Sequence, residues 1–396
     1  MTTKIRPVAL IRVSGGPRYA AAMAVDAVGT GLLRPFLLIY GVTVPGLSAP
    51  ATGAAMTAGV LVGLGCMPAV GRWLDRGARS TVVAASMLVR ALGVATLLAT
   101  PTGQVWPFVA AAVLFSAGNQ AWPAAHAALV ATLAVGRERD AALAASRSLR
   151  NAALGIGALL ATACLAGGSE ALRAMAVGTG VAYLVAAGLA WSVHLRAPAA
   201  AAVPTAEGAP RMGALLAANV IYAFCLNVPE IAVPLVLTAY LHASPVWSAV
   251  VFVANTVLVV ALQVPVTVAL ARVSRRVALA AGGVVLTLSY LGFLAASSLG
   301  PGWAAPAIAA VSVVCTIGEI IYAGSATALV IAVAPARLVG RAIARFELST
   351  GVGLAVSPAA ITALAPLGSG ALWGSLAGAT LLSAGAVAGQ GKRGLD

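Results

Sequence analysis

The chain has 396 residues, 61% hydrophobic and 9% charged, with a formal net charge of +14 and a mean hydropathy of +1.00. Soluble domains carry about 25% charged residues, so a water-soluble globule is excluded and lipid is the expected solvent. The basic excess would suit nucleic acid, but the 24 Lys and Arg residues fall in short clusters between apolar runs, so no nucleic-acid partner is expected.

A membrane-crossing helix needs ~20 mostly apolar residues. Taken in chain order, such runs occupy 17–41, 50–71, 80–100, 104–135, 144–168, 171–195, 212–240, 244–271, 276–299, 303–335, 342–366 and 369–390. The short alternating segments of a β-barrel are absent. The prediction is an all-α membrane protein with twelve transmembrane helices. Lys4, Arg6, Arg12 and Arg18 precede the first helix. Arg72, Arg76 and Arg79 lie between the second and third. Arg137, Arg139, Arg147 and Arg150 lie between the fourth and fifth or in the first turns of the fifth. Arg196 and Arg211, then Arg272, Arg275 and Arg276, then Arg337, Arg341 and Arg345, and finally Lys392 and Arg393, follow at alternate connections. With twelve crossings all these clusters share one side, and the opposite loops hold only Glu170, Arg173 and His242. The positive-inside rule makes that side cytoplasmic, together with both termini. Lys is rare and Ala, Gly and Val abundant, which suggests a GC-rich bacterial genome and hence the bacterial inner membrane. No cleavable leader is expected. Cys66, Cys164, Cys225 and Cys315 stand singly in apolar runs, as small packing residues rather than disulfides or metal ligands.

The two halves resemble each other. Ala128-Leu129-Val130, Gly118, Asn119 and Arg137 recur as Ala328-Leu329-Val330, Gly318, Glu319 and Arg337 at a shift of 200, and Arg147 and Gly155 recur as Arg345 and Gly353 at 198. Pro35 and Tyr40 correspond to Pro234 and Tyr240. The expected organisation is two pseudo-symmetric six-helix bundles, 1–195 and 212–396, joined by a cytoplasmic linker at 196–211 that holds Pro198, Pro204, Glu207, Gly208 and Pro210. Parallel repeats of this kind place the substrate between the halves near the bilayer midplane.

Gly71-Arg72-Trp73-Leu74-Asp75-Arg76-Gly77-Ala78-Arg79 stands on the expected 2–3 loop and resembles the hallmark loop of the major facilitator superfamily, with Gly77 one residue early. The resemblance implies the major facilitator fold, a monomer, and a conformational latch made by Gly71, Asp75, Arg76 and Arg79. Asp26-x-x-Gly29-x-Gly31-x-x-x-Pro35, Arg147 to Gly157, and Gly318-Glu319 are similar to bacterial multidrug-type efflux members. Two departures from proton antiporters stand beside these. The Gly-Pro pair of their fifth helix is missing, and so is the arginine shortly before the position of Gly118.

A charge at the bilayer centre costs ~2.5–3.5 kcal/mol on insertion scales, so five residues stand out: Asp26, Arg34, Arg90, Glu230 and Glu319. At ~1.5 Å rise per residue, Asp26 is ~13 Å above the inner end of its helix. Arg90 and Glu319 are at similar depth, and Arg34 and Glu230 are farther out. Carboxylates in a dry cavity can exchange protons near neutral pH, which makes Asp26 and Glu319 candidates for proton or ion coupling. A permanent ion pair is the alternative. Arg34, Arg90, Asn119, Asn227 and Glu230 are candidates for the substrate cavity. Gln120, Asn255 and Gln263 are polar companions, and His126 reads as a buried hydrogen-bonding residue. The tryptophans read as an interfacial belt. Gly155-Ile156-Gly157 and Gly351-Val352-Gly353 suit close helix crossings. No nucleotide loop, metal cluster or nucleophile elbow is present, so neither an enzyme nor a cofactor is expected. The expectation is a secondary active transporter working by alternating access that exports a small amphipathic or cationic molecule against proton influx. An uptake symporter of the same fold and a non-transporting membrane sensor are the alternatives.

Overall fold

The computed structural model describes residues 15–164, 167–193, 212–244, 246–300 and 302–389. Lys4, Arg6, Arg12, the linker 196–211, Lys392 and Arg393 lie outside the described residues. Among the described residues the chain is helical, with no strand. We label the long helical segments α1 Gly16–Thr43, α2 Ala49–Asp75, α3 Arg79–Leu98, α4 Val105–Leu133, α5 Gly136–Cys164 and α6 Gly168–Ser192. They continue as α7 Gly213–Tyr240, α8 Val246–Leu270, α9 Arg275–Ser297, α10 Ala304–Val333, α11 Ala336–Leu367 and α12 Ser369–Gly389. Ten of these are long and apolar enough to cross a membrane. The other two, α4 and α5, have 29 residues each. Asn119, Gln120 and His126 make α4 more polar, and Arg137, Glu138, Arg139 and Asp140 do the same for α5.

The fifth helix begins at Gly136 rather than at the expected 144, because its opening turns are charged and carry no apolar signal. Arg150 is therefore a mid-helix residue and not part of a first turn. The α2–α3 turn is short, and Gly77 adopts a left-handed φ of 85° there, which explains why the glycine stands where it does. Ser48 and Ser274 cap α2 and α9 by accepting from the N–H groups of Ala51 and Val277, both at 3.3 Å.

Two compact units emerge, one comprising 1–208 with 334–348, the other 209–333 with 349–396. In the first, α1 packs on α5 and α6, α4 on α2 and α3, and α3 on α6. In the second, α10 packs on α8 and α9, α9 on α12, and α12 on α7. The buried residues of α1 follow a helical stripe through Tyr19, Met23, Asp26, Ala27, Thr30 and Leu33. Leu88 and Leu92 of α3, Leu159 and Leu160 of α5, and Leu381 and Leu382 of α12 are exposed, the inverse of a soluble surface.

Glycines set the tightest crossings. A Cβ on Gly157 would meet the Val28 carbonyl oxygen at 2.2 Å, and one on Gly31 would meet that of Leu154 at 2.3 Å, so α1 and α5 touch backbone to backbone. Within the second unit, Gly353 of α11 would meet the Val220 carbonyl oxygen of α7 at 2.5 Å. α7 is irregular. A 3-10 stretch at Ala223–Asn227 runs into π turns at Val228–Ala232 and Val236–Tyr240. Pro229 and Pro234 remove N–H donors from the ladder there, and Asn227 spans the gap by donating to the Leu354 carbonyl at 3.3 Å and the Ser357 hydroxyl at 2.6 Å.

Candidate functional site

The first unit buries an ionic network. Asp26 of α1 and Arg90 of α3 are both wholly buried and form a two-point pair. Nη2 of Arg90 donates to Oδ1 and Nη1 to Oδ2, the latter at 3.3 Å. Arg90 also donates from Nη1 to Thr30 Oγ1 at 3.4 Å and from Nε to the Ser86 carbonyl at 3.4 Å, and its guanidinium lies 4.6 Å from the Tyr183 ring centre. Gly118 makes room for it, since a Cβ there would come within 2.6 Å of Arg90 Cγ. Thr30 completes the shell through the Asp26 carbonyl at 2.8 Å and the Tyr183 hydroxyl at 3.0 Å.

A second guanidinium closes on the same carboxylate. Arg150 Nη1 of α5 donates to Asp26 Oδ2 at 3.2 Å, and its side chain is 15% exposed. Its guanidinium lies 4.1 Å from the Trp122 ring centre. Trp122 stacks on His126 at 5.1 Å, and His126 stacks in turn on Tyr19, whose hydroxyl is 2.9 Å from Nδ1. Asn119, Trp122 and His126 stand three and seven residues apart, on one face of α4. Asn119 Oδ1, Trp122 Nε1 and His126 Nε2 are buried without a hydrogen-bond partner. Two cations meet one anion here, so the network carries one net positive charge.

The second unit holds a smaller polar group. Asn255 of α8 donates to Glu319 Oε2 at 2.9 Å and to Thr316 Oγ1 at 3.0 Å, and Glu319 is half-buried near the middle of the 30-residue α10. Elsewhere in that unit Asn219 ties three helices. It accepts from Tyr322 Oη and donates to the hydroxyls of Ser349 and Thr350, each at 2.8 Å.

The candidate residues therefore separate. Asp26 and Arg90 come together, with Asn119 one helical turn from Trp122. Arg34 and Glu230 are exposed, and Asn227 bridges α7 to α11. At the α2–α3 turn, Asp75 accepts from the Arg341 backbone N–H at 3.2 Å and from its Nε at 2.7 Å. That contact lies within the first unit, which includes 334–348. Gly71 fits against Arg341 and Ala344, where a Cβ would meet atoms at 2.9–3.0 Å. Arg76 is exposed, and Arg79 reaches the end of α4 through Thr132 Oγ1 and the Ala128 carbonyl at 3.4 Å. Of the tryptophans read as an interfacial belt, Trp106, Trp191 and Trp303 are exposed. Trp122 and Trp373 are core residues instead, because each is buried and stacks on a neighbouring ring or cation. Among the cysteines, Cys225 and Cys315 are buried, whereas Cys66 and Cys164 are exposed. Arg150, Tyr183, Thr30 and Asn219 were not legible as partners from the sequence.

Long apolar helices with ion pairs buried between them define a multi-pass membrane protein. The family model of the Major Facilitator Superfamily matches residues 19–358, and the chain belongs to that superfamily. Solved structures agree on the fold. A bacterial homologue of the iron transporter ferroportin, in an outward-facing state, superposes with TM-score 0.77 at 12% identity, covering 95% of this chain and 98% of that one. The human organic anion transporter MFSD10 (TETRAN) gives 0.71 at 13% identity over 96% and 100%. The transporter FucP in the outward conformation gives 0.65 at 13% over 94% and 95%. No curated protein sequence matches the chain.

Proposed function

We propose that the protein is a secondary active transporter that works by alternating access and exports a small amphipathic molecule in exchange for protons. In this reading all twelve helices cross the bacterial inner membrane with both termini cytoplasmic. The chain acts as a monomer of two six-helix bundles, 1–195 and 212–396. The observation that carries the coupling is the setting of Glu319. It is a half-buried carboxylate midway along an apolar helix, accepting from the neutral amide of Asn255, which also donates to the Thr316 hydroxyl. An amide tolerates both protonation states, donating to the carboxylate through its nitrogen and accepting from the carboxyl through its oxygen. Asp26 differs, since two guanidiniums already engage it. The contacts of Asp75 and Gly71 with the start of α11 support the latch role of Gly71, Asp75, Arg76 and Arg79.

The test uses inverted membrane vesicles with an acid interior and a pH-sensitive dye, and a panel of amphipathic anions, cations and neutral compounds. Export predicts that some compound dissipates the gradient with wild-type protein and not with Glu319→Gln. Glu319→Gln should still exchange labelled for unlabelled compound when no gradient is imposed. Accumulation of the compound in right-side-out vesicles, driven by an inward proton gradient, would replace export by uptake.

A further inference from the structure

The charge on the transported molecule can be argued from the network itself, taking the transporter reading as the base. Arg90 is spent. It is wholly buried, it covers both oxygens of Asp26, and its Nε donates to the Ser86 carbonyl. Arg150 is not. It gives only Nη1 to Asp26, and among the described residues its Nε and Nη2 have no acceptor. Those two nitrogens form the edge with which a guanidinium grips a carboxylate or phosphate at two points. Trp122 holds the guanidinium plane by stacking, which fixes where that edge can point. Arg150 is also the one member of the Asp26–Arg90–Arg150 trio with exposed side-chain surface. Trp122 shares one face of α4 with Asn119 and His126, and all three carry buried polar atoms without a hydrogen-bond partner.

We propose that Arg150 receives an anionic group of the transported molecule, a carboxylate, sulfonate or phosphate on an otherwise apolar body. The anion balances the net positive charge of the network. A cationic cargo would find Asp26 covered by two guanidiniums and would add a third positive charge to one negative. The sequence-based expectation of an amphipathic or cationic cargo rested on two in-cavity acids, Asp26 and Glu319, and Arg150 covers the first of them.

The experiment reads the sign of the site without a known substrate. The full chain, with Cys66, Cys164, Cys225 and Cys315 replaced by Ala, carries Asn119→Cys and is placed in phosphatidylcholine nanodiscs. The probes are the anionic sulfonatoethyl and the cationic trimethylammonioethyl methanethiosulfonates, each rate divided by that with a free thiol. A local positive field raises the encounter rate of an anion by ~10-fold or more, so the anionic reagent should lead by about that factor. Arg150→Gln should bring the ratio close to one, and Arg150→Lys should keep its sign. The lysine variant serves where the glutamine variant fails to fold. The proposal is overturned by a lead for the cationic reagent, by a ratio indifferent to Arg150, or by a thiol that neither reagent reaches. Slowing of the anionic reagent in phosphatidylglycerol nanodiscs alone would assign the position to a lipid headgroup and overturn the substrate assignment. Labelling needs no gradient and no flux, so failure of proton-coupled export leaves this result readable.

Discussion

Replacing Asp26 by Asn should be among the most damaging single changes in the first unit, and more damaging than loss of either arginine. The structure gives the ranking. Asp26 is the anion shared by two cations, wholly buried Arg90 and mostly buried Arg150, and both guanidiniums donate to it. Unit charges ~4 Å apart attract by about 4 kcal/mol at an effective dielectric of ~20, and the desolvation already incurred offsets much of that. Removing the shared anion strands two cations together, so a cost of about 3–5 kcal/mol is expected, the range for breaking a buried pair. Arg90→Gln leaves Asp26 paired with Arg150 and should cost less, about 2–3 kcal/mol, mostly for one charged hydrogen-bond set. Arg150→Gln removes a like-charge repulsion along with its hydrogen bond and should cost about 1 kcal/mol or less. The assay is unfolding of the purified protein by sodium dodecyl sulfate in mixed micelles, followed by circular dichroism, with the double variant Asp26→Asn/Arg90→Gln closing the cycle. The double variant should be no worse than Asp26→Asn alone. Additivity within ~0.5 kcal/mol would mean that the two residues are energetically independent, and a cost for Arg150→Gln above that for Asp26→Asn would refute the charge count.

Two further outcomes follow from other parts of the first unit. Asp75→Asn should shift the conformational equilibrium by about 1–2 kcal/mol, roughly tenfold. The residue is mostly buried and interacts with both the backbone and side chain of Arg341 near the start of α11. Arg341→Gln, which keeps the backbone N–H, should shift it by less than about 1 kcal/mol, and the accessibility of single introduced cysteines reads both. Gly157→Ala should destabilise by about 1–3 kcal/mol through overpacking against the Val28 carbonyl. Gly65→Ala, with nothing within 4 Å of the added Cβ, should leave the melting temperature unchanged. Equal melting temperatures for the two alanine variants would show that the α1–α5 crossing is not tight.

The membrane class, the helix order and the mid-membrane charges Asp26 and Arg90 were readable because each rests on a large energy. Apolar runs, clustered arginines and isolated mid-run charges all reflect the cost of polarity in lipid. Arg150 was hidden by the same logic. The charged opening of α5 looks like a loop to any hydropathy argument, although Arg139 and Asp140 lie 3.6 Å apart there and are buried within the helix. The stacking of Trp122 on Arg150 and the placement of Tyr183 under Arg90 depend on rotation of α4 and α6 about their axes, and α4 has no strong apolar face to fix that rotation from sequence.

The internal repeat contains the signal that would have found Arg150. At the shift of 198 that pairs Arg147 with Arg345, Arg150 stands opposite Leu348. At 200, Arg90 stands opposite Tyr290, and at the 199 that pairs Pro35 with Pro234, Asp26 stands opposite Cys225. Every member of the ionic network is thus a charge whose repeat mate is uncharged. The packing positions around it are shared. Gly118 fits against Ser86 and Arg90, and its mate Gly318 fits against Leu286, the mate of Ser86. Glu319 follows the same rule from the other side, as a charge opposite Asn119. A duplicated scaffold conserves what closes the helices together, so a charge present in one copy and absent from the other is free of the packing requirement and marks chemistry. On that reasoning the first half carries a fixed ionic network centred on Asp26, with Arg150 as its open edge. In the second half Glu319 stands beside the neutral amide of Asn255, and under the proposed transport reading this suits the two halves to different tasks, charge recognition in the first and proton exchange in the second.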